Sequence, residues 1–453
     1  MKSFTRSLSV ALVAALGGAA VAQPAPVAPI PEPQIAPPPA QPHEEVLTLD
    51  RAIQVGLEQQ PSLRQTRASI ETANARVESA RIPQRPTVSL SANLAESSSR
   101  GGVSTAGTST GGFFSPTLST GFSASASWRI YDFGQTAASI RAAEASADAT
   151  AATMGTTTLD IRSSVAIAFL EAVARQRLIT VAQTTVTSEE NHLDQARKFV
   201  AAQAKDPIEV AQAQARAANA RSALAQAQSN AAVALANLRS AIGWLDPSVT
   251  FTVENKWPTP PADEPAQLGT LVQTARQHRP EIVQLDKQIV AAEATVTVAE
   301  AERRPTLSAA ASTQWGPGQN DWSPQPSWTA GLTLSWQLYD GGRSAADQRS
   351  ARASVMSVEA QRDVLLVSLT SELDAARQQI VAHRANVTAS NEAVTAARAQ
   401  LKLADARYTQ GLGSQIELSD AQTSVTTAEG NLITAEWQLA DAWAQLRRAL
   451  GEQ

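Results

Sequence analysis

The sequence predicts a mainly α-helical fold that also contains a membrane β-barrel, with both parts built from two copies of one unit. Three observations lead to this prediction. The phrase WRIYDFGQ at Trp128 recurs as WQLYDGGR at Trp336, 208 residues later. Alternating apolar and polar residues precede each phrase, and a long stretch without proline follows it. Alternation with period two indicates strands, and long proline-free stretches favour helices.

The composition narrows the class of protein. Of the 453 residues only 4% are aromatic, and the formal net charge of −5 gives no basic surface for nucleic acid. The chain contains no cysteine, which excludes disulfides, thiolate metal sites and lipid attachment to an N-terminal cysteine. Its four histidines lack the spacing of metal ligands, and no active-site motif stands in a convincing context. We therefore predict no enzyme activity, no cofactor, no metal site and no nucleic-acid partner.

The N-terminal residues 1–22 are predicted to be a cleaved secretory signal peptide. Lys2 and Arg6 precede an apolar stretch, and Ala20, Val21 and Ala22 form the small-x-small pattern of a cleavage site. An uncleaved membrane anchor is the alternative, although the apolar stretch is short for a span. Residues 23–45 are rich in proline and are predicted to form a disordered leader.

Two repeats, 46–245 and 268–451, are joined by a linker at 246–267 that is rich in proline and acidic residues. Pro61 aligns with Pro280, and Leu238 aligns with Leu446. The alignment changes length once, between the two alternating runs of each repeat, where glycine and polar residues predict a surface loop. Two long copies are too few for a solenoid and instead suggest a pseudo-symmetric protomer.

Each repeat is predicted to begin with one helix, near 48–82 and 268–303, and to end in a long helical hairpin, at 135–243 and 343–450. The first arm of each hairpin runs for roughly 68 residues, which is about 100 Å of helix. The second arm carries apolar residues at alternating steps of three and four, the seam of a left-handed coiled coil. Alanine at alternate seam positions lets helices approach closely. An ordinary amphipathic helix would carry a wider stripe of larger residues.

Between these helices each repeat contains a strand–loop–strand unit, at 86–133 and 305–341. In the second unit Leu332 and Leu334 alternate with Thr333 and Ser335, so one face is apolar and the other polar. A strand of about 9–11 residues suits a tilted membrane span with a wet lumen on its polar side. A small soluble sheet is the alternative. The aromatic residues expected at the membrane interface are Trp128, Tyr131, Trp336 and Tyr339.

Four strands are too few to close a barrel, and an open sheet edge in lipid leaves unpaired backbone groups. Closure therefore requires several chains. Two chains supply eight strands, whose side chains nearly fill the interior, whereas three supply twelve strands and leave room for passage. The strand count therefore favours a homotrimer with a twelve-stranded barrel.

The duplicated motifs resemble the TolC-like outer-membrane efflux family over nearly all of 46–451. The resemblance rests on QQPSL and HRPEI, on RPTVSLSA and RPTLSAAA, on YDFG and YDGG, and on ARYTQGLGSQIELSDAQ from Ala406. It implies a homotrimer in the bacterial outer membrane that extends into the periplasm, where the long helices form an α-barrel tunnel below the twelve-stranded barrel. It also implies a periplasmic adaptor (membrane fusion) protein and an inner-membrane transporter as partners. The chain would then be the passive exit duct of a tripartite efflux or type I secretion system.

The same resemblance assigns a periplasmic gate. Glu417 and Asp420 match acids that line the family's periplasmic constriction, Glu209 is the counterpart of Glu417 in the first repeat, and Tyr408 matches a hydroxyl that ties neighbouring helices. Acids three residues apart share a helix face, and rings of carboxylates attract cations. The alternative is that these acids lie in solvent at a helix start, which the helix dipole favours.

The resemblance also has a departure at the hairpin tips. The family pattern carries a basic latch where this chain has Gly413, and the first repeat has AQAKDP in place of the glycine-leucine tip. The residues expected to contact the adaptor are Gly411, Leu412, Gly413 and Ser414.

The main alternative function is a soluble periplasmic coiled-coil adaptor protein. The duplicated strand pairs with aromatic ends favour the channel over the adaptor.

Overall fold

The computed structural model of the chain describes residues 45–99, 115–246, 250–258, 265–317 and 324–452. The signal peptide predicted over 1–22, the leader up to residue 44 and the tips of the two predicted loops lie outside these ranges.

Both repeats contain the same order of elements. The first comprises β1 (Glu45–Leu47), α1 (Leu49–Gln59), α2 (Pro61–Arg81), a short 3-10 turn (Ile82–Gln84), β2 (Thr87–Ser99), β3 (Ser115–Tyr131), α3 (Gln135–Ala201) and α4 (Ile208–Ile242). The second comprises β4 (Phe251–Val253), α5 (Leu268–His278), α6 (Pro280–Ala301), β5 (Thr306–Pro317), β6 (Pro324–Ser335), α7 (Arg343–Thr409) and α8 (Gln415–Leu450).

The opening helix of each repeat is divided in two, where the sequence predicted one helix. Gln60 and Arg279 adopt extended conformations, and Pro61 and Pro280 then begin α2 and α6. A proline at the first helical position loses no helical hydrogen bond, but it forces the preceding residue out of the helical region. The prediction of a single helix was therefore wrong at these two prolines.

The long helical hairpins are confirmed. α3 and α7 each contain 67 residues, which is about 100 Å of helix. The seam of α8 is buried almost throughout, and Leu418, Ala421 and Val425 are examples. In α4 the equivalent residues Ala213 and Ala217 are buried against α3. Small seam residues therefore hold each second arm directly against the first.

The repeated YDFG and YDGG phrases form the turn from strand to long helix. Asp132 accepts hydrogen bonds from the amides of Gly134 at 3.1 Å and Thr136 at 2.8 Å, and from the Thr136 hydroxyl. Asp340 accepts from Gly342 at 2.9 Å and from Ser344 in the same way. Each aspartate thus satisfies amides that the first turn of a helix leaves unpaired.

Glycine is required in these turns because the residue before each long helix has a positive φ, +94° at Gly134 and +91° at Gly342. The hydrogen bonds from Ser344 and Gly342 also lower the pKa of Asp340 to about 2. The carboxylate therefore stays charged beside the helix N-terminus at any physiological pH.

The strands form one antiparallel sheet in the order β2-β3-β5-β6, so the sheet joins the two repeats through β3 and β5. Val88, Leu90 and Leu332 are exposed on the apolar face. On the polar face serine hydroxyls pair across β2 and β3, as in Ser89 with Ser125 at 2.7 Å. The strands contain 12 to 17 residues, longer than expected, and β6 ends at Ser335, so Trp336 and Tyr339 follow the strand.

The two largest apolar cores of the described residues lie where the helices meet. In the first, Val165 and Phe169 of α3 pack with Leu238 of α4 and with α1. In the second, Leu369 and Leu373 of α7 pack with α5 and α8. Two short strands, β1 and β4, pair in parallel and add to the first core. The sequence did not predict this pair. It places Glu45 in a strand rather than in the leader, and it gives the predicted linker a strand.

Of the helices in the described ranges, none is both long enough and apolar enough to cross a membrane.

We expect Leu238→Ala to lower the free energy of unfolding by about 2–5 kcal/mol, because it removes a buried side chain from a packed core. Leu238 has no exposed surface, whereas Leu245 seven residues later is 81% exposed. Leu245→Ala is therefore the matched control, and we expect a change within about 0.5 kcal/mol. Denaturant unfolding followed by circular dichroism measures both. Equal losses would contradict the assignment of the core.

Candidate functional site

The candidate site lies where the tips of the two helical hairpins meet. In the second hairpin the amides of Leu412 and Gly413 both donate to the carbonyl of Arg407, at 2.9 and 3.0 Å. This closure of the last helical turn satisfies a carbonyl that α7 would otherwise leave unpaired. A Cβ on Gly413 would lie 3.0 Å from the Tyr408 amide nitrogen, so any side chain at 413 would require the backbone of this turn to shift by a few tenths of an ångström.

Tyr408 is the centre of the contact between the hairpins. It has no exposed surface and packs with Ala404, Leu418 and Ala421 of its own hairpin. Its ring meets Phe199 of α3 edge-on at 5.7 Å between centroids. Its hydroxyl donates to Glu209 Oε2 of α4 at 3.3 Å. Tyr408 and Glu209, two of the four predicted gate residues, are therefore brought together within one chain.

Lys205 was not among the predicted site residues, yet it joins this contact from the first hairpin. Its ammonium lies 3.3 Å from Glu209 Oε1, donates to the Gly413 carbonyl at 3.2 Å and stands 4.9 Å from the Tyr408 ring centre. Under the repeat alignment Lys205 is the counterpart of Gly413. Lys205 thus places a cation beside Gly413, and the AQAKDP tip was the only sequence signal for it.

Glu417 and Asp420 do not join the Tyr408 contact. Glu417 Oε1 pairs with Arg407 Nη1 at 3.1 Å, and the Glu417 amide donates to Ser414, which caps α8. Asp420 is exposed, and its carboxylate has no hydrogen bond or ion pair with any residue in the described ranges. The four predicted gate residues therefore form one linked pair, one acid neutralised by its own helix hairpin and one free acid.

Further polar contacts join the hairpins beside the tip. Arg216 of α4 donates to the Gln415 carbonyl at 3.1 Å. Ser188 of α3 donates to Gln422 of α8 at 2.9 Å and lies 3.3 Å from His192 Nε2. No sequence motif predicts these contacts, because they depend on which faces of α3, α4 and α8 meet.

The pKa values respond to this burial. Burial, and then the charge of Glu209 and the hydrogen bond to it, raise the pKa of Tyr408 to about 12. Burial also raises the pKa of Glu189, although the charges of His192 and Arg216 act in the opposite direction. The tip contact therefore holds Tyr408 as a neutral hydrogen-bond donor, which is the form that Glu209 requires.

The predicted interface aromatics Trp128, Tyr131, Trp336 and Tyr339 are all exposed. The Trp128 indole donates to the Gln84 carbonyl at 3.1 Å, which fixes the ring beside the end of β3. Exposed rings with one polar atom are typical of a membrane–water interface.

Two stretches of the chain, 52–244 and 271–452, match the sequence model of the family described as outer membrane efflux protein. The chain belongs to this family. Protein CyaE of Bordetella pertussis is 30% identical over 391 residues, which span 85% of this chain and 80% of that protein. The pyoverdine export outer membrane protein OpmQ of Pseudomonas aeruginosa is 25% identical over 306 residues, 66% of this chain and 62% of that protein.

Among solved structures, the CmeC outer membrane channel of Campylobacter jejuni superposes with a TM-score of 0.73 at 16% identity, over 89% of this chain and 85% of that one. At 16% identity, this superposition shows a shared fold. The resemblance drawn from the duplicated motifs is thus confirmed, and the chain is an outer-membrane protein that extends into the periplasm. Family and fold are those of transport proteins rather than of enzymes.

We expect Tyr408→Phe to remove a phenol that titrates near pH 12. The folded-state pKa is raised, so the stability contributed by the hydroxyl is complete below about pH 10 and is lost as the pH rises through about 12. Phenolate absorbance is titrated against pH in wild type and variant, and the difference between the two curves reports the ionisation of Tyr408. A midpoint near pH 10, with helix content retained, would contradict the buried contact.

We expect Glu189→Gln to raise the melting temperature at pH 7–8. The raised pKa of Glu189 means that its favourable contribution is complete below about pH 4.5 and is lost as the pH rises through the higher value. The gain should therefore disappear near pH 4. Glu190→Gln is the matched control, because the neighbouring exposed carboxylate pairs with Arg221 at 2.6 Å. Its loss should cost about 0.2–1 kcal/mol. A lower melting temperature of the Glu189→Gln variant at neutral pH would contradict the raised pKa of Glu189.

Proposed function

We propose that the protein is the passive outer-membrane exit duct of a tripartite efflux or type I secretion system, driven by a partner inner-membrane pump. The observation that carries the proposal is the four-stranded sheet with an exposed apolar face, attached directly to helices of about 100 Å. An apolar face suits lipid, and the serine-rich opposite face suits a wet lumen. Helices of this length suit a route through the periplasm.

Closure of the barrel requires further copies of the chain. Within the described residues β2 and β6 each pair with one neighbour only, so each leaves an open edge. Unpaired backbone groups in lipid cost several kcal/mol each, which pairing β6 of one copy with β2 of the next removes. Three copies supply twelve strands, and we therefore propose a homotrimer whose lumen is open.

The hairpin tips are the proposed contact for the periplasmic adaptor. Leu412 is 72% exposed, and Ile208 and Ile416, which are equivalent under the repeat alignment, are exposed beside it. Exposed apolar side chains concentrated at one end of a molecule are typical of a protein interaction surface. Gly411, Gly413 and Ser414 would contribute backbone shape rather than apolar area.

Asp420 is the proposed principal acid of the periplasmic constriction. Its carboxylate is exposed and, within the described chain, unpaired, whereas Glu417 is partly neutralised by Arg407. In a trimer three Asp420 carboxylates would form a ring that attracts cations and resists anions. Glu417 would contribute a weaker second ring, because the field of an ion pair falls off faster than that of a free charge.

We expect Asp420→Asn to shift the selectivity of single channels in planar bilayers towards anions and to weaken block by divalent cations. Glu417→Gln should have a smaller effect, and the exposed acid Glu71 of α2 supplies the control Glu71→Gln, which should have none. The double variant Glu417→Ala/Asp420→Ala should show the largest shift.

Three outcomes would overturn these assignments. Unchanged ion selectivity in the double variant would contradict the assignment of Glu417 and Asp420 to the gate. Sedimentation of the detergent-solubilised protein as a single chain, or full solubility of the mature protein without detergent, would remove the trimeric duct and favour the soluble adaptor.

A further inference from the structure

The polar face of the four-stranded sheet carries one charged strand residue within the described ranges, and this residue lies at the end nearest the long helices. Arg129 of β3 lies on the same face as Ser125 and Ser127 and faces Ser308 of β5. The other strand residues that the register places on this face are serine, threonine, asparagine, glutamine, glycine or alanine. A cation is therefore set at one end of an otherwise uncharged, hydroxyl-rich surface.

A second arginine adds to this charge beside the neighbouring strand. Arg85 is exposed and extended, two residues before Thr87, which pairs with Ser127. Side chains two residues apart in an extended chain lie on the same side, so this register sets Arg85 in line with Arg129. The Arg85 guanidinium has no hydrogen bond or ion pair with any residue in the described ranges. Each protomer thus contributes two arginines to one end of the polar face.

The carboxylate beside Arg129 does not cancel its charge. Nη1 of Arg129 lies 3.9 Å from Oδ2 of Asp132, at the outer limit of an ion pair. The Asp132 side chain is 12% exposed and accepts from the amide of Thr136 in the first turn of α3, where a carboxylate offsets the positive end of the helix dipole. The Arg129 side chain is 39% exposed and stays accessible to solvent. Arginines also outnumber acids among the other charged residues beside the strand ends, which are Glu302, Arg303, Arg304, Asp340 and Arg343.

In the proposed homotrimer these arginines form a ring around the lumen. Twelve strands about 4.8 Å apart and tilted by about 40° enclose a barrel about 24 Å across between backbones. An arginine side chain reaches about halfway from such a wall to the axis, which brings the three Arg129 guanidinium groups to about 10 Å from one another, near the Debye length at 0.1 M salt. Their potentials therefore overlap in the lumen, and rings of arginine favour anions.

We propose that Arg129, together with Arg85, forms an anion-binding ring at the helical end of the barrel lumen, which binds the oxyanion groups of solutes in transit. A guanidinium binds a carboxylate or phosphate through two parallel hydrogen bonds, and the neighbouring serine hydroxyls donate further ones. The inference rests on the proposed trimeric channel and adds the class of solute that it favours. This ring and the acidic tip residues lie at opposite ends of helices of about 100 Å, so each acts on ions separately.

The test is block of single-channel current by citrate in planar bilayers. The protein is added to one chamber, and helices of about 100 Å do not cross the bilayer, so the barrel opens to the opposite chamber. Citrate in that opposite chamber should reduce the wild-type current at 0.1 M salt. The block should weaken at 1 M salt, where the Debye length is about 3 Å. Glucose, which carries no charge, should not block.

Variants assign the block to the arginine ring. Arg129→Gln should weaken citrate block about tenfold or more, and Arg85→Gln about three- to tenfold. Arg129→Lys should retain most of the block, because the charge remains in the lumen. The matched control is Arg67→Gln, which removes an exposed arginine of α2 that lies about 20 Å of helix before the end of α2. This control should be blocked as wild type is.

The outcomes separate this inference from the proposed function. Wild-type channels that conduct but are not blocked by citrate, or equal block in wild type and Arg129→Gln, would overturn the anion ring and leave the channel intact. A lower melting temperature of Arg129→Gln with unchanged block would also overturn it, because Arg129 would then act only on the turn at Asp132. Absence of any channel in wild type would contradict the proposed function, and the ring with it.

Discussion

The close packing of alanine-rich helices is the constraint on which the rest of the structure depends. A helix of 67 residues takes most of its stability from tertiary contacts rather than from intrinsic propensity. In α3 the part near the tip lies against α4, where Leu193 and Ala196 pack on Ala213 and Ala217. The remainder lies mainly against α2 and α6, with further contacts to α1 and α8. Because the contacting residues are small, the helices approach closely over their whole length, and the cores can remain thin despite the length of the chain.

Contacts within a hairpin differ from contacts between hairpins. Within the second hairpin Val394 and Ala397 pack on Val425 and Ala428 as a continuous apolar seam. Between the hairpins the contacts near the tip are hydrogen bonds, one shared ammonium group, that of Lys205, and a single edge-on ring contact between Phe199 and Tyr408. Apolar seams resist separation along their whole length, whereas separate polar contacts can be exchanged for water. Each hairpin is thus a firm unit, and the boundary between them is the weaker one.

The two repeats have diverged in charge while keeping their geometry. Arg221 of α4 binds Glu190 of α3 with Nη2 to Oε1 at 2.6 Å. At the equivalent crossing of the second repeat, Arg398 of α7 binds Glu429 of α8 at 2.7 Å, so the signs are exchanged between the helices. Three of the four side chains are exposed and Glu429 is partly buried, so each pair contributes little to stability on its own. Their conservation of position with reversal of sign indicates that the crossing needs opposite charges, whichever helix carries each of them.

The sequence alone determined the repeats, the long helices with their seams, the strand pairs and the turns after Tyr131 and Tyr339. These features follow from periodicity and from local chemistry, since a seam of alternating steps, an alternating strand and a glycine turn are each written in consecutive residues. The breaks at Pro61 and Pro280 were also visible in the sequence but were underestimated. The pairing of β1 with β4 could not be predicted, because three-residue strands carry no period of their own.

The candidate site could be predicted from the sequence only in part, for the same reason. Tyr408 and Glu209 were identified by resemblance, but the contacts of Lys205 and the neutralisation of Glu417 by Arg407 were decided by tertiary structure. Each depends on which side chains of helices distant in sequence face one another. A charge in a sequence has a known sign, but its partner, its burial and therefore its pKa and energy are fixed only when the helices pack.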